Sequence, residues 1–328
     1  MQRSKRISSF LFPLVTITAV VWLMFNYQSV VDSVVVSRFE PNTQVNQLTK
    51  EIDFTDHGQF LFFAGQPELS EREEFNQHCE KRAEQTVVLG CYISPQRIYI
   101  YNVTDPRLAG VRQVTAAHEM LHVAYDRLGY VEKKQIDQML EAAVPAVQQA
   151  EPELAERLKV YEKTEPGERT NELHSILGTE AVTLPDDLEQ YYKRYFNNRA
   201  IITALAANYD KVFDDVKQQQ DQLIDELETL AEQINQLTAQ YNEDAKQLSE
   251  DIDAFNQKAN REGSFASESE FDTERSALIS RSDELEVLRK TVNTKAEQYE
   301  QKRQALNAIN VQVKDLNQTI DSTSVPSI

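Results

Sequence analysis

Val114-Thr-Ala-Ala-His118-Glu119-Met-Leu-His122-Val-Ala-Tyr125 is the stretch on which the interpretation of this chain turns. It reads as helix from end to end. At 3.6 residues per turn, His118 and His122 project from one face, one above the other, so both imidazoles reach a single metal ion. Glu119 stands about 100° round the helix, beside them, where it can hold a water. A neighbouring stripe of Val114, Ala117, Leu121, Ala124 and Leu128 has the rhythm of a core-facing helix. Two histidines four apart also occur on ordinary surface helices. What favours a metal here is the apolar frame, and that two of the chain's five histidines occupy this one motif.

A third ligand is offered downstream, in Gly167-Glu-Arg-Thr-Asn171-Glu172-Leu-His174-Ser175-Ile-Leu-Gly178-Thr-Glu180. This segment resembles the second motif of the glutamate-zincins, the thermolysin-like and aminopeptidase-like zinc metallopeptidases. In that family an Asn-Glu pair opens a helix turn, a small residue follows three positions after the Glu, and that Glu completes the zinc site. Asn171, Glu172 and Ser175 match in order. The resemblance implies a zincin-like α+β catalytic domain with one zinc per chain, held by His118, His122 and Glu172, with Glu119 as general base. Two imidazoles and one carboxylate leave the fourth position open. The chain departs from the pattern in two ways: the gap between the motifs is longer than in thermolysin-like enzymes, and Ile176 stands where an acidic residue is expected. Glu180 is therefore a reserve third ligand. The resemblance spans about residues 95 to 200.

Zinc in such a site lowers the pKa of bound water to about 7 and polarises a substrate carbonyl. The oxyanion that develops needs a further donor. His174, Tyr191, Tyr192, Arg194 and Tyr195 lie in or after the second motif, with His174, Tyr192 and Tyr195 the leading candidates. The simpler reading of the same tyrosines is the aromatic packing face of a helix. Asp126, one turn past His122, is placed either to orient a ligand imidazole or to sit in solvent at the helix end.

The N-terminus predicts a location. Arg3, Lys5 and Arg6 precede an uncharged apolar run of 18 residues, Phe10 to Tyr27, close to the minimum that spans a bilayer. The basic tail at 1–9 and the absence of positive charge just after the run predict a signal anchor at 10–27, with a cytoplasmic N-terminus and an extracytoplasmic remainder. The bulky residues after Trp22 argue against a cleaved signal peptide. Cys79 and Cys91 are the only cysteines, and in an oxidising compartment they predict one disulfide. The alternative, a second metal site with His78, lacks a recognised spacing. A net charge of -19, from 53 acidic and 34 basic residues, argues against a nucleic-acid partner. Asn102-Val-Thr104 has the N-glycosylation pattern.

Residues 28–50 read as a connector, and 51–205 as the catalytic domain. Within it, Gln59–Ala64 predicts a strand ended by Gly65-Gln-Pro67, and Ser70 with Glu73 a capping box opening a polar helix. Thr86–Tyr92 and Arg97–Val103 flank Ser94-Pro95-Gln96 as a hairpin. Arg97–Val103 is expected to offer a free edge to an extended peptide. The motif helix should close at Gly129 as its C′ residue, followed by helices at Val131–Val144 (stopped by Pro145), at Pro152–Lys163, around Glu172, and from Pro185. From 206 to 322 apolar residues fall at heptad spacing: first Val216, Leu223, Leu227, Leu230 and Leu237, then Leu278, Leu285, Val292, Tyr299, Leu306 and Val313. A Gly/Ser break near 260–270 predicts an antiparallel coiled-coil hairpin, with a continuous dimerising rod as the other option. The expected whole is a membrane-anchored zinc metallopeptidase acting on peptides or proteins, with a coiled coil for a protein partner or self-association. Its alternatives are a coiled-coil envelope scaffold whose zincin-like domain is structural or inactive, and a zinc hydrolase acting on another amide.

Overall fold

The computed structural model describes residues 26–79, 88–93, 97–164 and 169–322, together with Thr18, Val20 and Trp22. The anchor expected over 10–27 and the tail over 1–9 lie almost wholly outside these residues, as does the turn at Ser94–Gln96. Among the described residues no helix is long and apolar enough to cross a membrane. The chain forms two compact units: Met1–Val212 with Leu316–Ile328, and the intervening Phe213–Asp315.

The first unit is mostly helical around a small sheet. Helix α1 covers 26–38, α2 Thr43–Ile52, α3 Asp56–Ala64, α4 Arg72–His78, α5 Val111–Asp126, α6 Tyr130–Ala150, α7 Pro152–Thr164, α8 Arg169–Thr179 and α9 Asp186–Tyr192. Three strands, β1 (Glu68–Ser70), β2 (Gly90–Ile93) and β3 (Arg97–Tyr101), order as β1-β3-β2, with β1 parallel and β2 antiparallel to β3. Cys91 sits opposite Tyr99, and Tyr92 opposite Ile98. The expected hairpin partners are therefore joined, but β3 is the central strand and not an edge. Ile98, Tyr99, Ile100 and Tyr101 are all buried, which suits an unbroken apolar run covered on both faces. The outer strand on this side is β2.

Helix α5 runs through the core. The expected stripe of Val114, Ala117, Leu121 and Ala124 is buried, and so are Ala116, Met120 and Val123 on the other sides. Helices α2, α3 and α8 and strands β2 and β3 all pack on it. Each large apolar side chain so enclosed contributes about 1.5–3 kcal/mol. The stretch read as a connector over 28–50 joins this core through Val45 and Leu48 of α2, beside Ile52. Buried Asp32 of α1 pairs with Arg127 at 3.0 Å.

Several local expectations are corrected. Gln59–Ala64 belongs to helix α3, because the Thr55 side chain caps it by accepting from Gly58 N–H, and its apolar run buries Leu61, Phe62 and Ala64 within the core. Such a short run lacks the alternation that would distinguish a strand. Ser70 is buried in β1, and α4 starts after Glu71 with no side-chain cap. Gly129 has φ -67° and precedes α6, while α5 closes at Arg127. Helix α6 continues through Pro145, whose ring lies on the exposed side while Ala143, Val144 and Val147 are buried.

The second unit is the body of a helical hairpin built from α10 (Arg199–Ala259) and α11 (Glu268–Ile320). Gln220 bonds Asn310, Glu226 Lys302, Gln233 Lys295 and Asp251 Arg281, so the partners run in opposite directions. Leu227, Leu230 and Leu248 are buried, and Leu278, Leu285, Val292, Tyr299 and Leu306 are half-buried among exposed neighbours. Phe255, Phe265 and Phe271 cluster at the tip, with ring centroids 5.2–5.7 Å apart.

Candidate metal centre

His118 and His122 project from α5 as the four-residue spacing requires, with ring centroids 4.8 Å apart. What completes the group is the close approach of α8. At Gly178 a Cβ would lie 2.4 Å from Leu121 Cδ1 and 2.7 Å from Tyr192 Cε1, so only glycine lets the two helices pack at this depth. Two turns earlier on α8, Glu172 faces both histidines. Its Oε2 lies 3.6 Å from His118 Nε2, and its Oε1 lies 3.6 Å from His122 Nε2. One donor atom from each of the three residues falls within 4.8 Å of the others. Among the described residues no other group of three or more His, Cys, Asp or Glu converges in this way. The three side chains are 16%, 10% and 12% exposed, so the cluster is recessed yet reachable from solvent.

Asn171 orients one of these rings. His122 Nδ1 and Asn171 Oδ1 are 2.9 Å apart. The amide oxygen accepts, so Nδ1 carries the proton and Nε2 turns its lone pair toward Glu172. The sequence placed Asn171 in the motif without giving it a role. Asp126, the other candidate for orienting a ring, is exposed at the end of α5.

Glu119 is buried between α5 and the sheet. Strand β2 lies directly on it: a Cβ built at Gly90 would stand 2.6 Å from Glu119 Oε1, 2.6 Å from Thr115 Cγ2 and 2.8 Å from Glu119 Cγ. Neither Gly90 nor Thr115 was singled out by sequence. The available signal was a glycine opening a strand, which marks a close backbone approach.

The remaining candidates are placed elsewhere. Glu180 does not join the cluster but meets Arg157 at 3.0 Å, and Arg157 also bonds Asp210. Burial raises the Glu180 carboxyl above the ordinary range, opposed by the Arg157 charge. His174, Tyr191, Tyr192 and Tyr195 form a buried aromatic group behind α8. His174 Nε2 meets Tyr191 OH at 2.8 Å, Tyr191 OH meets Tyr195 OH at 3.0 Å, and Tyr192 OH donates to the His174 carbonyl at 2.7 Å. Burial, helped by nearby His122, lowers the His174 pKa to about 3 and keeps the ring neutral. Burial likewise raises the pKa values of the three tyrosines. This is the packing face foreseen as the alternative to oxyanion donors. Arg194 stacks over Tyr191 and Tyr195 and pairs with Glu132.

Cys79 and Cys91 are joined in a disulfide, with a Cα separation of 5.8 Å. The pairing removes both sulfurs from the ligand pool, so the alternative second metal site is not formed. His78 instead stacks on Tyr99, ring centroids 4.2 Å apart. Compared with family models, curated proteins and solved structures, the chain finds no match in any of the three.

Proposed function

We propose that the chain is a zinc-dependent metallopeptidase, with His118, His122 and Glu172 as metal ligands and Glu119 as general base. The observation that carries this is the convergence of two imidazoles and one carboxylate beside a buried Glu on the same helix. The chemistry of the donor set suits the ion, and its separations, 3.6 Å from Glu172 to each histidine and within 4.8 Å across the group, approach the roughly 3.4 Å between the ligand atoms of tetrahedral zinc. Two nitrogens and one oxygen leave room for a fourth ligand, the pattern of a catalytic rather than a closed structural site.

Bound zinc would supply a Lewis acid and bring the pKa of water to about 7. Glu119 takes the proton on a carboxylate oxygen as water attacks the substrate carbonyl, and then delivers it to the departing amine. Asn171 keeps His122 in the tautomer that offers Nε2. Substrate would be an extended peptide adding to β2, the outer strand that crosses Glu119 at Gly90. The basic and apolar N-terminal segment would anchor the protein in a membrane with this unit outside the cytoplasm, where the disulfide is stable.

One observation favours a second reading, a scaffold with a structural or inactive site: the long hairpin of α10 and α11, which hydrolysis does not need. Measuring metal content and peptide hydrolysis on the full chain and two variants separates them. About one zinc per chain, lost in Glu172→Ala, together with hydrolysis abolished in Glu119→Gln while zinc stays bound, is the expected result. Hydrolysis that survives Glu119→Gln would refute the mechanism. Zinc retained in Glu172→Ala would refute the ligand set, and a parent that holds zinc without cleaving any peptide would favour the scaffold.

A further inference from the structure

Strand β2 is held by its pairing with β3, by a side-chain hydrogen bond and by a disulfide. Among the described residues it has a strand partner on one side only. Tyr101 N–H donates to Leu89 O at 2.8 Å, so by the alternation of an antiparallel ladder the backbone groups of Cys91 and Ile93 face β3. Nothing in that pairing fixes how closely the strand lies on α5, since an edge strand can swing about its partner. Other contacts do so. Tyr92 OH accepts from Arg127 Nη1 at 2.7 Å, and Arg127 is itself paired with Asp32. Cys91 is bonded covalently to Cys79, the residue that closes α4. Helix α4 is in turn fixed by fully buried Phe75 and by Arg72, whose guanidinium donates to Tyr101 OH.

Gly90 is the residue next to Cys91, and its backbone is the surface against which Glu119 rests. The metal ligands lie on α5 and α8, and neither helix is attached to this bond. We propose that the Cys79–Cys91 disulfide is a positioning device for Glu119. By tying β2 to α4 it keeps Gly90 pressed on the carboxylate, and a dithiol reductant releases that hold while leaving the three metal ligands in place. The proposal rests on Glu119 being the base. In the exchange, a reductant thiolate attacks one sulfur of the bridge and the other leaves as a thiolate. The second reductant thiol then closes the reductant's own disulfide. Cys79 and Cys91 gain two electrons and two protons, and the reductant is oxidised by the same count. Cys79 is buried and Cys91 half-exposed, which directs the attack to Cys91.

The test follows zinc content, amide hydrogen exchange and steady-state hydrolysis in the full chain, oxidised, reduced with dithiothreitol, and as the Cys79→Ser/Cys91→Ser double variant. Expected in both opened forms are zinc still at one per chain, exchange at the Cys91 and Ile93 amides at least tenfold faster with α5 and α8 protection unchanged, and kcat down about tenfold. Reoxidation of the reduced protein should restore kcat. Unchanged exchange at Cys91 and Ile93 overturns the proposal, as does faster exchange with kcat intact, or loss of protection throughout α5 and α8. If the oxidised protein binds zinc but cleaves no peptide, the metallopeptidase reading fails, and with it the role given to the bridge, whereas the exchange data still report whether the bridge holds the strand.

Discussion

Replacing Gly90 by alanine puts a methyl carbon 2.6 Å from Glu119 Oε1 and from Thr115 Cγ2, and 2.8 Å from Glu119 Cγ. Relaxed carbon contacts need roughly 3.5–4 Å, so about 1 Å has to be found. Strand β2 cannot easily retreat, being paired to β3 and bonded through Cys91. Thr115 is buried on the long helix α5. The group that yields is the Glu119 side chain, turning its carboxylate away. Overpacking of this kind costs about 1–3 kcal/mol, and a reacting group misplaced by about 1 Å costs on the order of a hundredfold in rate. Gly90→Ala should therefore lower kcat about a hundredfold on any peptide the parent cleaves, with zinc content unchanged and stability reduced by about 1–3 kcal/mol in urea titration. Adding Thr115→Ser removes one of the clashing atoms and should restore part of both losses. Full kcat and an unshifted urea midpoint in Gly90→Ala would refute the close contact between β2 and the base.

Two further outcomes follow from the same geometry. Asn171→Ala removes the acceptor that fixes the His122 ring, and zinc affinity measured by competition with a chelator should fall about 10- to 100-fold; unchanged affinity would deny Asn171 that role. Arg199, the buried first residue of α10, donates to the carbonyls of Leu177, within the last turn of α8, and Ala181, just beyond it, and pairs with Glu189. Arg199→Met leaves the two carbonyls without their donor and should cost about 1–3 kcal/mol in chemical denaturation; a loss under about 0.5 kcal/mol would show that water replaces the guanidinium.

How much of this was legible in the sequence differs by element. The His118–His122 spacing and the apolar frame were sufficient for α5, since helical periodicity places both the buried stripe and the ligand face. The Asn-Glu pair led to Glu172 over Glu180, although the sequence alone left both standing. In the structure Arg157 holds Glu180 from another helix, and such pairings across distant segments leave no local trace. The six-residue run Gln59–Ala64 is helix and not strand for a different reason: buried on several sides, an apolar stretch has neither period. Pro145 does not stop α6, because a proline on the exposed side of a well-packed helix is tolerated when the turns around it are held by the core. The order β1-β3-β2 was also out of reach, because the hairpin pattern places β2 beside β3 but says nothing about the distant Glu68–Ser70 segment that covers the other side.

The first unit is assembled from two separate pieces of chain, Met1–Val212 and Leu316–Ile328, and this has a consequence for how the protein is made. Leu316 is fully buried, Gln318 O accepts from Arg72, and Ser322 O accepts from Asn76. At ribosomal rates of about 5–20 residues per second, this second piece follows Val212 by roughly 5–20 s. Throughout that interval the bonds from Arg72 to Gln318 O and from Asn76 to Ser322 O are unmade. Joining the pieces through a flexible excursion of that length would cost on the order of 4 kcal/mol in closure entropy. The hairpin meets that cost in small steps: once the Phe255–Phe265–Phe271 tip forms, each cross-pair shortens the next closure, down to Gln220 and Asn310. A nascent chain interrupted inside the long helices would therefore carry His118, Glu119, His122 and Glu172 in a unit still without Leu316 and the residues that follow it.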